Sequence, residues 1–232
     1  MVDSDINKYY LLIRSNQIKL VNLNQNNQIT FLKETITDNS SLNDIFKILE
    51  IFLDQNLIEC EKRLKSHIKE IILIIDSADF LTIDMSTIKN FKEINQTDNV
   101  SNLILDLRNN LKKGMENYEV IHSMINKYIV DGKDYSSIPM KIENKNIFLE
   151  IRFICLKASS YLRFKKICAK YQIKVKNILY YNYINDYKSS FAGNIFDVAD
   201  KILTGLNENE ISLLKKKPKN KGFFEKFFNF FS

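Results

Sequence analysis

The sequence predicts a mixed α/β fold built as two small layers, and three observations carry that expectation. Short apolar runs, "YYLLI", "IKLVNL" and "QITFLKETI", are separated by "RSNQ" and "NQNN", which read as turns, so the runs read as strands. Longer stretches repeat their apolar residues at three- and four-residue spacing, the period of a helix with one buried face. Strand-like and helix-like stretches are mixed along the chain with few loops between them.

The elements follow in order. "SSLNDIFKILEIFLDQNLIECEKRLK" opens a long helix. Ser41 with Asp44 makes a capping-box-like start, and Leu42, Ile45, Phe46, Leu49, Phe52 and Leu53 form its stripe. "KEIILIIDS" has an unbroken apolar centre, which fits a strand buried on both faces, and "DFLTIDMSTI" reads as its neighbour. Asp98 or Asn99 then caps a helix carrying Val100, Leu103, Ile104, Leu107 and Leu111. "YEVIHSMINKYIVDG" and "NIFLEIRFICLK" are strand-like. A helix after Ser159–Ser160 places Phe164, Ile167, Cys168 and Tyr171 on one face. "IKVKNILYY" is the last strand, and "NIFDVADKILTGL" the last helix of the body.

Composition narrows the function classes. With 232 residues the chain can bury a sizeable core in one large or two small domains. Its three cysteines, Cys60, Cys155 and Cys168, are odd in number and include no C-x-x-C, which argues against a disulfide scaffold and favours a reducing compartment. The two histidines, His67 and His122, are far apart in sequence. No run approaches the roughly 18 apolar residues of a membrane span. The opening "MVDSDINKYY" is acidic and polar, unlike a signal peptide. A net charge of +6 is modest, and much of it sits near the C-terminus.

That C-terminus reads "KGFFEKFFNFFS". On a helix at roughly 100° per residue, Phe223, Phe224, Phe227, Phe228, Phe230 and Phe231 share one arc of roughly 160°. Gly222, Glu225, Lys226 and Asn229 take the other side, which is the pattern of an interfacial helix. Ahead of it Lys215, Lys216, Lys217, Lys219 and Lys221 surround Pro218 in what reads as a flexible basic arm. Such a cluster suits an anionic leaflet, at about 1 kcal/mol per Lys near the surface. Docking of the helix on the protein's own core, or in a partner's groove, is the plainer alternative.

Chemistry-bearing residues are few. Asp76, Asp79 and Asp84 cluster in sequence and suggest a carboxylate or metal site, although strand-end and turn roles explain them without catalysis. Tyr180, Tyr181 and Tyr183, with Lys188 nearby, fit a base-stacking platform, but an alternating half-buried strand is simpler. His122 on a strand reads as a packed histidine rather than a metal ligand.

The order of elements and several residues resemble the bacterial cell-division protein FtsA, a membrane-bound relative of actin. "EVIHSMINKYIVDGK" resembles a strand of that family's inserted strand–helix–strand–strand module, with His122, Tyr128, Asp131 and Gly132 at the recurring positions. "FLEIRFICLKASSYLRFKKICAKYQIKVKNILYY" resembles the strand, helix and strand that follow, and the linker with its terminal amphipathic helix is also similar. The departures are clear. Asn126 stands where the family usually has proline, and Arg14 with Ser15–Asn16–Gln17 replaces an Asp-x-Gly-Thr-Thr phosphate turn. The chain has five glycines, none near that turn, and a phosphate cradle needs glycine to bring backbone N–H groups close to the anion. The chain is also too short for the second, nucleotide-closing lobe.

The resemblance therefore implies a partial actin-like lobe. Residues 1–95 are its first part, 96–180 the inserted module and return strand, 181–206 a closing helix, 207–221 a basic linker and 222–232 the membrane helix. It also implies a non-enzymatic adaptor of the division machinery, peripheral on the cytoplasmic face of the cell membrane. Such a protein would bind anionic lipid and peptides of division or envelope-assembly proteins. It would use no cofactor, metal or nucleic acid, with self-association left open. The alternative is a pilus or secretion platform resembling PilM, a relative that holds a short cytoplasmic peptide of a membrane partner. A nucleic-acid binder with a basic tail is third.

Overall fold

A computed structural model of the chain describes residues 7–38, 41–91, 96–135, 145–189, 191 and 193–211. The elements run β1 (Lys8–Arg14), β2 (Gln17–Leu23), β3 (Ile29–Ile36), α1 (Leu42–Leu64), β4 (Glu70–Ile75), β5 (Phe80–Phe91), α2 (Gln96–Gly114), β6 (Tyr118–Val130), β7 (Lys133–Tyr135), β8 (Lys145–Lys157), α3 (Ala158–Lys170), β9 (Lys174–Tyr180), α4 (Tyr181–Lys188) and α5 (Ile195–Leu203). They form a mixed α/β fold with two sheets, ordered β3-β2-β1-β4-β9 and β5-β8-β6-β7.

In the first sheet β1, β2 and β3 are antiparallel neighbours, while β1 pairs with β4, and β4 with β9, in parallel. Parallel neighbours need crossovers, and helices supply them. α1 opens as the sequence predicts. Ser41 caps it by accepting the Asp44 N–H, and its hydroxyl donates to the Asp44 carboxylate. The Leu49 and Phe52 stripe of α1 packs with Phe164 and Ile167 of α3 on Leu11, Ile13, Leu73 and Ile75. On the opposite face Tyr10, Leu12, Ile72 and Ile74 meet Ile184 of α4 and Val198, Ala199 and Ile202 of α5. β4 is thus buried on both sides, as its unbroken apolar run implies. A capping box starts α5: Asn194 accepts from the N–H groups of Phe196 and Asp197, and Asp197 accepts from the Asn194 N–H.

The second sheet is antiparallel throughout. α2 covers one face, where Leu103, Ile104, Leu107 and Leu111 pack on Leu149, Ile151 and Phe153. β6 and β7 are joined by Asp131–Gly132, whose φ values of 50° and 80° are both left-handed. That is what a tight two-residue hairpin requires and what an Asp-Gly pair supplies at low cost.

Four expectations need correction. β5 is not the neighbour of β4: it pairs with β8 in the other sheet. α2 begins at Gln96, which puts Asp98 and Asn99 inside its first turn rather than at its cap. Residues 181–206 hold two helices, and Tyr181 and Tyr183 belong to α4, not to an alternating strand. Residues 207–211 are not a free linker, because Ile125 and Ser123 of β6 hydrogen-bond to Asn209 and Ile211. Residues 212–232, with every lysine and phenylalanine assigned to the membrane, lie outside the described residues. No described helix is long and apolar enough to cross a membrane.

Candidate functional site

Two places bring polar side chains together. The first lies where β1 and β4 end side by side, the carboxyl edge at which open α/β sheets leave a crevice. A cleft of about 380 Å³ opens there beside Arg14, Ser15, Ser41, Asp76 and Asp79. Several of its polar groups are already engaged within the protein. The Arg14 Nε–H donates to the Asp76 carboxylate at 3.2 Å, and the guanidinium lies 4.2 Å from the centre of the Tyr181 ring. The Ser15 and Asn16 carbonyls accept from the hydroxyl and N–H of Thr37, at 2.7 and 2.9 Å. Asp79 accepts from the Ser160 hydroxyl. The turn in the phosphate-binding position is tied to Thr37 through its carbonyls and contains no glycine, and an ion pair stands beside it.

Asp84 does not join Asp76 and Asp79. It sits on β5 and takes two hydrogen bonds, both 2.8 Å, from the Arg152 guanidinium. Those bonds hold its carboxyl below the usual carboxylate range. Among the described residues no group of three or more His, Cys, Asp or Glu is placed to hold a metal ion.

The second place is the junction of the two sheets. His122, on β6 beside a bulge, is buried, and its Nε2 accepts the backbone N–H of Tyr180 at the end of β9 (3.2 Å). Its Nδ1 lies 2.7 Å from Oε1 of Glu210. The Tyr183 hydroxyl donates to Oε2 of the same carboxylate (2.8 Å) and accepts from the Asn207 amide (2.9 Å). Burial first, then the nearby Glu210 carboxylate, pushes the Tyr183 phenol up, so it remains a donor. A cavity of about 370 Å³ opens here beside Arg108, Ser123, Asn177, Asn207 and Glu210.

The four residues of the family-like module have different fates. His122 is the centre of this junction. Tyr128 is a core residue packed toward α2, and burial pushes its phenol up to about 12. Asp131 and Gly132 form the hairpin turn, where the Asp131 carboxylate accepts the Asn146 N–H at 2.9 Å. The tyrosines proposed as a stacking platform are engaged internally. Tyr183 is buried, Tyr181 lies under Arg14, and Tyr180 stacks on Phe80 at 4.4 Å. Sequence reasoning missed Glu210 and Asn207. The only local signal was an acidic residue just before the apolar Ile211, which does not reveal a histidine 88 residues away.

No family model and no curated protein matches the chain. Similar solved structures include the PilM–PilN type IV pilus biogenesis complex, 8% identical with a TM-score of 0.47 over 79% of this chain and 50% of that one. A protein from Bacteroides thetaiotaomicron, with an actin-like ATPase fold and unknown function, is 14% identical with a TM-score of 0.38 over 82% of this chain and 60% of its own. The cytoplasmic domain of EpsL, an inner-membrane component of the type II secretion system of Vibrio cholerae, is 6% identical with a TM-score of 0.39 over 77% and 57%. The chain spans between 50% and 60% of the length of these three structures.

Proposed function

We propose that this protein is a non-enzymatic adaptor that holds a partner protein at the cytoplasmic face of a membrane, as a platform for envelope assembly. The observation that carries the non-enzymatic part is the strand-end cleft. Arg14 and Asp76 neutralise each other beside it, and the Ser15–Asn16 turn has no glycine to bring backbone N–H groups close to a phosphate. The partner's place is the sheet junction, where β9 is an edge strand of its sheet among the described residues and a polar cavity adjoins β6. The tether is argued from sequence: the lysines at 215–221 and the phenylalanine arc at 223–231 suit an anionic leaflet.

Equilibrium dialysis with Mg-ATP tests the first part. No stoichiometric binding is expected at micromolar nucleotide, and its detection would overturn the reading. Liposome sedimentation tests the tether. Phe227→Glu with Phe228→Glu places two charges in the aromatic arc and should release the protein from anionic vesicles. Replacing Lys215, Lys216 and Lys217 by Gln should weaken binding less, and mainly at low salt. A second reading, the division adaptor, rests on the FtsA-like order of elements and the terminal segment. Co-purification from native membranes separates the two, since one expects pilus or secretion subunits and the other division proteins.

A further inference from the structure

Beyond α5 the chain turns at Gly205, where φ is 99°, and runs back along β6. It pairs there as a strand would. The Ile125 N–H donates to the Asn209 carbonyl (2.9 Å), the Ile211 N–H donates to the Ser123 carbonyl (2.8 Å), and Glu210 stands opposite Met124 in antiparallel register. This is the edge of β6 that β8 does not occupy, in line with β7, which pairs with Tyr128–Val130. Two backbone hydrogen bonds fix the stretch to β6, the side chains of Asn207 and Glu210 bond to Tyr183 and His122, and open clefts of about 370 and 380 Å³ lie beside it.

One side chain makes the fit specific. Because Nε2 of His122 accepts a backbone N–H, the ring proton sits on Nδ1 and is donated to Glu210. The Tyr183 hydroxyl donates to the other oxygen. His122 and Tyr183 therefore make a two-donor socket for one carboxylate, and the His122 side chain is only 2% exposed. Donors fixed in this way discriminate strongly, because an occupant without the carboxylate leaves both of them unpaired.

We propose that this edge of β6 is a strand-pairing site for an extended, carboxylate-bearing segment of a partner protein, with Asn207–Ile211 as its internal occupant. The proposal rests on the adaptor reading and names the chemistry of the partner. Its acidic side chain takes the place of Glu210 between His122 and Tyr183, and its backbone makes the two bonds to Ser123 and Ile125. The chain's own segment shows which chemistry fits: a short extended stretch with an acidic residue followed by an aliphatic one.

The test uses the full chain and a fluorescein-labelled peptide with the sequence of residues 207–211, read by anisotropy. Glu210→Gln weakens the internal occupant and leaves the socket intact, so it should bind the peptide about tenfold more tightly than the parent does. A peptide with Gln in place of the Glu210 equivalent should bind neither protein. Ile211→Pro removes one backbone bond and keeps the carboxylate, so it should also raise peptide affinity even if Glu210→Gln proves unstable. Equal binding by parent and variants, or equal binding of the Gln peptide, would overturn the proposal. So would a dimer of the full chain that the peptide dissociates, because the external occupant would then be a second copy. Membrane-partner capture without peptide binding sinks this proposal alone, whereas stoichiometric ATP binding counts against the adaptor reading alone.

Discussion

The central strands of the first sheet, β1 and β4, are packed on both faces, and the second sheet is packed chiefly on one. In the first, successive residues of β1 and β4 alternate between two apolar clusters, so nearly every side chain is core. In the second, alternate residues of β8 face α2, while on the other side Ile88 of β5 is 71% exposed and Arg152 pairs with Asp84 in solvent. The difference teaches where rigidity and adaptability lie. A sheet closed on both faces loses well-packed volume whichever side is cut. A sheet with one wet face can relax, and its edge can accept another strand.

The largest effects should come from the doubly packed layer. Phe164→Ala removes a fully buried ring that packs on Phe46 at 4.7 Å and should cost about 3–5 kcal/mol in urea unfolding. Leu149→Ala, equally buried but in the singly covered sheet, should fall toward the lower end of about 2–5 kcal/mol. Cysteine labelling sharpens the contrast without any substitution. Burial pushes the thiols of Cys60 and Cys168, both in the first core, up to about 12, and that of Cys155, under α2, up to about 11. All three should react only on opening, and Cys155 should react first. Equal labelling rates would break the comparison.

Removing the link between the sheets comes next. His122→Leu leaves the Tyr180 N–H and the Glu210 carboxylate without this partner and should cost about 1–3 kcal/mol. Gly132→Ala should cost about 1–2 kcal/mol. Its Cβ would meet open space, so the penalty comes from a φ of 80° alone, and amide exchange should quicken around the β6–β7 hairpin only.

The smallest effect concerns Asp84. Its folded pKa is depressed by Arg152, so its contribution is present above the unfolded carboxylate pKa and lost as pH falls through the folded one. The side chain is 43% exposed and solvent screens the pair, so Asp84→Asn should cost less than about 1 kcal/mol near neutral pH. The cost should vanish in acid. A cost that persists at low pH would show that packing, not charge, holds this face.

The sequence by itself determined whatever depends on near neighbours in the chain. Ser41 and Asp44 start α1 because a cap and its amide lie three residues apart, and the apolar stripe behind them has the helical period. The unbroken run Ile71–Ile75 pointed to a strand covered on both faces, and burial on both sides follows. The glycine-free turn after Arg14 was equally plain. Tertiary structure decided which strands pair and which polar groups meet. A period of two marks a strand but does not name its partner, so β5, next to β4 in sequence, crossed to the other sheet, where β8 offered a full-length antiparallel register. Tyr181 and Tyr183 became helical because β9 ends at Tyr180 and α4 then covers Ile72 and Ile74. Glu210 reached His122 because the turn after α5 returns the chain to β6. A buried polar group accepts whichever partner the fold delivers, and no local pattern carries that information.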